Sequence, residues 1–261
     1  MSATPPTTEV DLSPAPGAAP FPRMAWRQAV LESRLLLRNG EQLVLTLLVP
    51  LGLVLGAAFV SYLDGDRTER LAFAVPGTIA LAVISTAFTS LAIATGFERR
   101  YGVLRFLGAT PLGRGGLLAG KGGAVVLVEA FQIALICGLG LALGWEPHGN
   151  PVAVVLLVLL GSLCFSALAL LLAGALRAEA TLALANLVFL LLLLGSGIAF
   201  PIDDAPDALR TALQALPSTA LADGLRAVLA DGAALPGREL AVLAGWAAAA
   251  TGAALATFRW D

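Results

Sequence analysis

Charged and aromatic residues are scarce in this chain. Of its 261 residues, 13% are charged and 7% are aromatic, whereas 58% are hydrophobic. The charged share is about half of the roughly 25% found in ordinary soluble domains, and the mean hydropathy is +0.86. This composition is typical of a chain that lies in lipid. The formal net charge of -2 gives no indication of a nucleic-acid partner, and we expect none.

Cysteine and histidine are also rare. Cys137 and Cys164 lie inside apolar runs, where cysteine behaves as a small buried hydrophobic residue. His148 stands alone, with no potential metal ligands at a suitable spacing. The sequence therefore predicts neither a disulfide framework nor a metal site, and it leaves the redox compartment undetermined.

Long apolar runs, in contrast, are abundant. A bilayer core of about 30 Å requires about 20 apolar residues in a helix, and six runs are long enough. They are residues 43–63, 71–96, 122–144, 152–174, 180–200 and 240–258. The sequence therefore predicts an all-α membrane protein with six transmembrane helices.

The distribution of Lys and Arg predicts the orientation of these helices. Eleven of these residues fall on one side of the predicted bundle, mainly before the first run and between the second and third, and five fall on the other side. Positive residues concentrate on the cytoplasmic side. We therefore expect a multi-pass protein of the plasma (inner) membrane with both termini in the cytoplasm. Residues 1–21 lack the features of a signal peptide and are predicted to form a disordered cytoplasmic tail.

The segment before the first run has the pattern of an amphipathic helix. Its arginines recur at spacings of four, seven and four, whereas Trp26, Val30 and Leu37 occupy another face. The arginines are Arg23, Arg27, Arg34 and Arg38. Such a helix lies in the headgroup region of a membrane. The alternative is a basic topology signal without a defined structure.

About forty residues separate the fifth and sixth runs. Leucine and valine recur there at helical spacing, and Pro217 divides the segment into two parts. Neither part is long enough to cross a membrane. Two short re-entrant helices before the last span are predicted, with an extracellular helical hairpin as the alternative.

Residues 115–122 match part of the P-loop pattern, with Gly115, Gly120 and Lys121 at the required spacing. The next position is Gly122, where a Ser or Thr would have to bind magnesium, and no buried strand precedes the segment. We therefore reject a nucleotide site here. The chain is expected to bind no cofactor of its own.

The same region read as a whole resembles a known family. Residues 98–114 read ERRYGVLRFLGATPLGR, and Gly-Lys follows directly before the third run. This pattern closely resembles the cytoplasmic loop of type-two ABC exporter permeases, a group that includes daunorubicin-type drug exporters. The matching residues are Glu98, Arg99, Gly102, Leu104, Pro111, Gly120 and Lys121.

The resemblance implies a coupling helix that inserts into a groove of a separate ATPase subunit. Val103, Leu104, Phe106 and Leu107 would then be its apolar anchors, and Arg99, Arg100 and Arg105 its polar contacts. MgATP would be bound and hydrolysed in that partner, so this chain would not itself be an enzyme. Without the resemblance, the segment would be only a basic cytoplasmic loop.

A second, weaker likeness lies before the last run, where Pro217, Asp223 and Arg226 match the signature of this family. The likeness covers residues 22–261 and implies an ABC-2 type permease domain paired with a second copy or a homologue. It does not identify the residues that select the substrate.

Glu129 lies within the third apolar run, where a charged side chain costs at least ~2.5 kcal/mol. Gln132 follows on the same helical face. The two residues could line a translocation path that favours cationic amphiphiles, or Glu129 could form a hydrogen bond between helices. The sequence does not decide between these alternatives.

Together these features predict a permease that exports an amphiphilic small molecule, a drug or a lipid-linked compound. The first alternative is a permease for polysaccharide or teichoic-acid precursors, which the low aromatic content disfavours. Alternatives of another class are a cation-coupled secondary transporter, a membrane enzyme and a membrane scaffold. The first two usually contain several intramembrane acids or repeated spans.

Overall fold

The computed structural model describes residues 18–38, 40–60, 65–198 and 206–257, and most of the predicted disordered tail lies outside these ranges. All regular structure in the described part of the chain is helical. The helices are α1 (Phe21–Arg38), α2 (Gly40–Phe59), α3 (Arg67–Val83), α4 (Leu91–Arg100), α5 (Val103–Gly108), α6 (Gly113–Ala142), α7 (Pro151–Ala175), α8 (Ala178–Gly195), α9 (Asp207–Gln214), α10 (Pro217–Leu229) and α11 (Gly237–Thr257).

Five helical segments in the described part are long and apolar enough to cross a membrane. They are Arg67–Arg100, Gly115–Ala142, Pro151–Ala175, Ala178–Gly195 and Gly237–Thr257. These segments correspond to five of the six predicted runs. The run at 43–63 falls largely on α2, whose side chains are described only from Leu47 to Phe59. The count of six spans therefore stays a prediction.

Two of these segments begin at residues with side-chain caps. Asp66 accepts a hydrogen bond from the Glu69 backbone N–H at 2.9 Å, and the Glu69 carboxylate accepts one from the Asp66 N–H at 3.1 Å. Asn150 accepts from the Val152 N–H at 2.9 Å, with Pro151 at the first helical position. Both arrangements satisfy backbone donors that the first helical turn leaves free.

The core lies along the continuous segment from α3 to α4, which is the most buried of the five. Val75, Ile79, Leu81 and Phe88 are buried there against α6, α7 and α10. The middle of this segment, Ile84–Ser90, is π-helical, which the sequence did not predict. Short π-helical segments are often found at functional sites.

Two short helices precede the last span, and the break between them is at Pro217, as the sequence predicted. They differ in burial. Helix α10 packs against α3, α7 and α11, and Leu221 and Leu225 are fully buried. It is therefore a helix of the protein core, while its depth in a membrane stays a prediction.

Helix α1 is present where the amphipathic pattern predicted it, but its packing face was not predicted. It packs chiefly against α6, and Ala29 and Ser33 are its buried residues. A Cβ atom added at Gly120 would lie 2.5 Å from Gln28 Cγ, and one added at Gly123 would lie 2.9 Å from the Ala29 Cβ. The partial P-loop segment thus belongs to a continuous helix, on which Gly120 and Gly123 let α1 approach closely.

Gly140 and Gly144, four residues apart at the end of α6, have different roles. Gly140 packs against Trp145 and Val75, which supports close helix packing. Gly144 instead has a φ of +92° in the turn after α6, with no neighbour within 4 Å of an added Cβ atom. That residue is required by the turn and not by helix packing.

Candidate coupling site

Helix α5 is a single short helix between α4 and α6. It begins after Gly102, whose φ of +73° turns the chain in a conformation that other residues rarely adopt. Leu104 is 2% exposed, whereas Phe106 is 74% exposed and Val103 is also exposed. Leu104 therefore packs α5 against its own chain, and its role as an apolar anchor for a partner stays a prediction.

Tyr101, directly before α5, adds to its exposed apolar surface and was not predicted. It is 71% exposed, and its ring stacks on Phe97 with a centroid separation of 6.2 Å. We call the side chains of Tyr101, Val103 and Phe106 the α5 face. An exposed aromatic group of this kind is characteristic of protein contact surfaces.

Arg99 joins the end of α4 to the end of α7. Its guanidinium donates hydrogen bonds to the carbonyl oxygen atoms of Gly174, at 2.6 Å, and Leu176, at 2.5 Å. These carbonyl groups lie at the C-terminal end of α7, where backbone C=O groups have no intrahelical partner. Arg99 is therefore engaged within the chain, and its role as a polar contact for a partner stays a prediction.

Arg100 forms an ion pair with Glu179 in the first turn of α8. Both side chains are largely exposed, at 50% and 63%, so the pair stabilises the protein little. Together, Arg99 and Arg100 connect the chain directly before α5 to α7 and α8.

Lys121 is the centre of a cluster that joins three helices. Its Nζ lies 2.6 Å from Glu98 Oε2 on α4 and 3.4 Å from Glu32 Oε2 on α1, and its side chain is only 3% exposed. Gln28 donates a further hydrogen bond to Glu32 at 2.7 Å. Burial raises the pKa of Glu32 above its ordinary value, and the charge of Lys121 offsets this only in part.

Glu98 and Lys121 match the family pattern, whereas Glu32 was not predicted. A signal for it was present, because Gln28 and Glu32 are one turn apart on the face that carries Ala29 and Ser33. This face of α1 is distinct from its arginine face and from the apolar face that carries Trp26, Val30 and Leu37.

Two cavities lie on either side of Lys121. One, of about 190 Å³, lies between α1, α4, α6 and the π-helical segment and includes Glu32, Glu98 and Thr86 in its lining. The other, of about 350 Å³, lies between α4, α6, α7 and α11. Its walls are mostly apolar, with Lys121, Ser166 and Thr251 as polar groups. Both lie at the end of the bundle that carries α5.

Glu129 and Gln132 are buried and bonded to neighbouring helices. Ser162 of α7 hydrogen-bonds to the Glu129 carboxylate, and Thr86 of the π-helical segment donates to Gln132 Oε1 at 2.8 Å. Glu129 is 1% exposed. These contacts are of the kind expected if Glu129 forms a hydrogen bond between helices. That Glu129 and Gln132 line a translocation path stays a prediction.

Arg226 joins α10 to two other helices. Its guanidinium lies 3.9 Å from the ring centroid of Phe73 on α3 and donates to the Gly197 carbonyl, after α8, at 2.7 Å. Asp223 lies 3.5 Å from it, and Pro217 begins α10. The three residues thus form one packed unit, whose position relative to the bilayer stays a prediction.

This fold and site define an all-helical, multi-pass membrane protein with a short helix exposed at one end of its bundle. Comparison with known families matches residues 66–256 to the ABC-2 family transporter proteins, and the chain belongs to this family. No curated protein matches the chain.

Proposed function

We propose that this protein is the permease subunit of an ATP-binding cassette exporter. It moves an amphiphilic small molecule, drug or lipid-linked compound out of the cell, with energy from a separate ATPase subunit that binds MgATP. The observation that carries this proposal is the α5 face. Its apolar side chains are exposed, while Leu104 in the same helix is buried against the bundle. Membership of the family supports the reading as a transporter.

The ATPase binds at the α5 face, with Phe106 at the centre and Tyr101 and Val103 beside it. An aromatic side chain that enters a groove supplies much of the binding free energy of such a contact. Leu107 is partly buried and contributes at the edge. Arg105, which is exposed on the same helix, is the polar contact closest to this surface.

Movement of α5 is transmitted through the contacts at its ends. Arg99 carries it to α7, and the cluster of Glu98, Lys121 and Glu32 carries it to α6 and α1. Lys121 is buried in this cluster and both carboxylates are largely shielded from solvent, so a change in the geometry of the ion pairs is energetically costly. Nucleotide-driven closure of the ATPase therefore repositions several spans at once.

The apolar cavity of about 350 Å³ supports an amphiphilic substrate, since its walls are apolar and Lys121 supplies a polar end.

Helix α2 completes six spans, both termini face the cytoplasm, and the protein pairs with a second copy or a homologue. Gly102 and Pro111 flank α5, the helix that contacts the ATPase.

The experiment is purification of the affinity-tagged chain from its native membranes, followed by reconstitution with the ATPase that accompanies it. Co-purification of an ABC ATPase, and ATP hydrolysis stimulated by cationic or neutral amphiphiles, is the expected result. Recovery of the intact permease without such an ATPase would contradict the proposal.

A further inference from the structure

A basic cleft lies beside α5, at the end of the bundle where the connection between α7 and α8 meets α4. Its volume is about 500 Å³, within the range of about 300–1,000 Å³ typical of small-ligand sites. The charged residues that line it are Arg99, Arg100, Arg105, Arg177 and Glu179. With four arginines and one glutamate, the charged lining has a formal net charge of +3.

Arg99 and Arg100 are engaged within the chain, whereas the charges of Arg105 and Arg177 are not compensated by described residues. Arg100 is paired with Glu179, and Arg99 is directed to backbone carbonyls. Arg105 and Arg177 are exposed, and neither has an ion-pair partner within the described ranges. The cleft therefore has two guanidinium groups available for an anion.

The start of α8 adds to this preference. Arg177 is the N-cap residue, no side chain caps the first turn, and Ala178 lines the cleft. The free N–H groups of a helix start carry a partial positive charge and favour anions. Glu179 offsets this charge in part but is engaged by Arg100.

The position of the cleft suggests the source of the anion. The apolar segment Arg67–Arg100 ends at the cleft, and the segment Ala178–Gly195 begins there. The ends of such segments lie at the level of the lipid headgroups. Further along α8, Leu182, Leu187 and Leu191 are exposed, as expected of a surface that contacts acyl chains.

We propose that the cleft binds the phosphate group of an anionic phospholipid, with Arg105 and Arg177 as its direct contacts. A guanidinium can donate two parallel hydrogen bonds to a phosphate. Basic pockets between membrane helices on the cytoplasmic side bind anionic headgroups in this way. A zwitterionic lipid binds less well, because its ammonium group meets the excess positive charge.

The proposal is tested on the purified full chain without any ATPase, so its outcome is independent of the exporter proposal. Retention of phosphatidylglycerol and of phosphatidylcholine with matched acyl chains is measured by native mass spectrometry. Thermal midpoints are recorded with each lipid and with inorganic phosphate. The variant is Arg105→Gln combined with Arg177→Gln, and the matched control is Arg67→Gln combined with Arg238→Gln, at the opposite end of the bundle.

The wild type is expected to retain phosphatidylglycerol preferentially and to be stabilised by it. Loss of the two arginines lowers this preference by about 30-fold, since each basic residue near a charged membrane contributes about 1 kcal/mol. The control variant keeps the preference, and both variants match the wild-type midpoint in phosphatidylcholine.

Three results would overturn the proposal. The first is an unchanged lipid preference in the Arg105 and Arg177 variant. The second is full stabilisation by inorganic phosphate, which would identify a soluble phosphate as the ligand. The third is an absence of any preference for phosphatidylglycerol in the wild type.

Discussion

Leu104 and Phe106 are two residues apart on α5, and their side chains have opposite environments. Leu104 is 2% exposed and Phe106 is 74% exposed. The first holds the short helix against the bundle, and the second leaves an aromatic ring outside it. A coupling element requires both properties, because a surface that binds a partner transmits force only if its base is fixed.

The first prediction separates these two roles by stability. Leu104→Ala should lower the stability of the isolated permease by about 2–5 kcal/mol, the usual cost for a buried leucine. Phe106→Ala should change it by less than about 0.5 kcal/mol, because no buried contact is lost. Thermal or denaturant unfolding of both variants in one detergent provides the measurement. Equal losses of stability would show that Phe106 also packs within the chain.

The second prediction concerns the contact between α1 and α6. Gly120→Ala should displace α1, since the added Cβ atom would lie 2.5 Å from Gln28 Cγ. Gly122→Ala is the matched control on the same helix, because its Cβ atom would meet nothing within 4 Å. The control should be neutral or stabilising by up to about 1 kcal/mol.

Hydrogen exchange of α1 amides measures the effect of these two substitutions. Faster exchange is expected in Gly120→Ala and wild-type exchange in Gly122→Ala. Equal exchange in both variants would show that α1 does not depend on this close approach.

The third prediction is a pH dependence of α1 docking. The pKa of Glu32 in the folded protein is raised, with burial as the main cause. The stability that this shift contributes is present below the ordinary pKa and is lost as the pH rises through the folded-state value. The protection of α1 amides, measured relative to their intrinsic exchange rates at each pH, should therefore fall over that window. Lys121 on α6 and Glu98 on α4 are the charged groups that face Glu32.

Glu32→Gln should flatten this pH dependence, because an amide does not ionise while it keeps the hydrogen-bonding shape of the side chain. Glu179→Gln, an exposed position at the same end of the bundle, should leave the dependence unchanged. Opposite behaviour of the two variants would assign the titration to another group.

The fourth prediction concerns Glu129. Glu129→Gln should leave export of cationic and neutral substrates unchanged, because an amide oxygen can still accept a hydrogen bond from Ser162. Glu129→Ala should destabilise the contact between α6 and α7. Transport of both substrate types by reconstituted complexes is the measurement. Selective loss of cationic substrates in Glu129→Gln would place the carboxylate in the translocation path.

Much of the helical framework could be predicted from the sequence, because lipid requires long apolar runs and because proline is excluded from a helix interior but favoured in its first turn. The segments at 122–144 and 152–174, and the break at Pro217, follow from these requirements alone.

The candidate site was only partly predictable. The residues of α5 were identified through their resemblance to a family, but both Leu104 and Phe106 are apolar, and six residues of helix do not show which one is buried. Burial depends on packing against distant elements. The same is true of Arg99, whose carbonyl partners lie more than seventy residues further along the chain.

Photo-crosslinking determines whether an ATPase binds at the α5 face, as we propose. Benzoylphenylalanine is placed at Phe106 and, as a control, at Leu235, an exposed apolar loop position near the start of α11. In complexes that hydrolyse ATP, a crosslink to the ATPase is expected from position 106 and none from position 235. An active complex without a crosslink from position 106 would contradict the account.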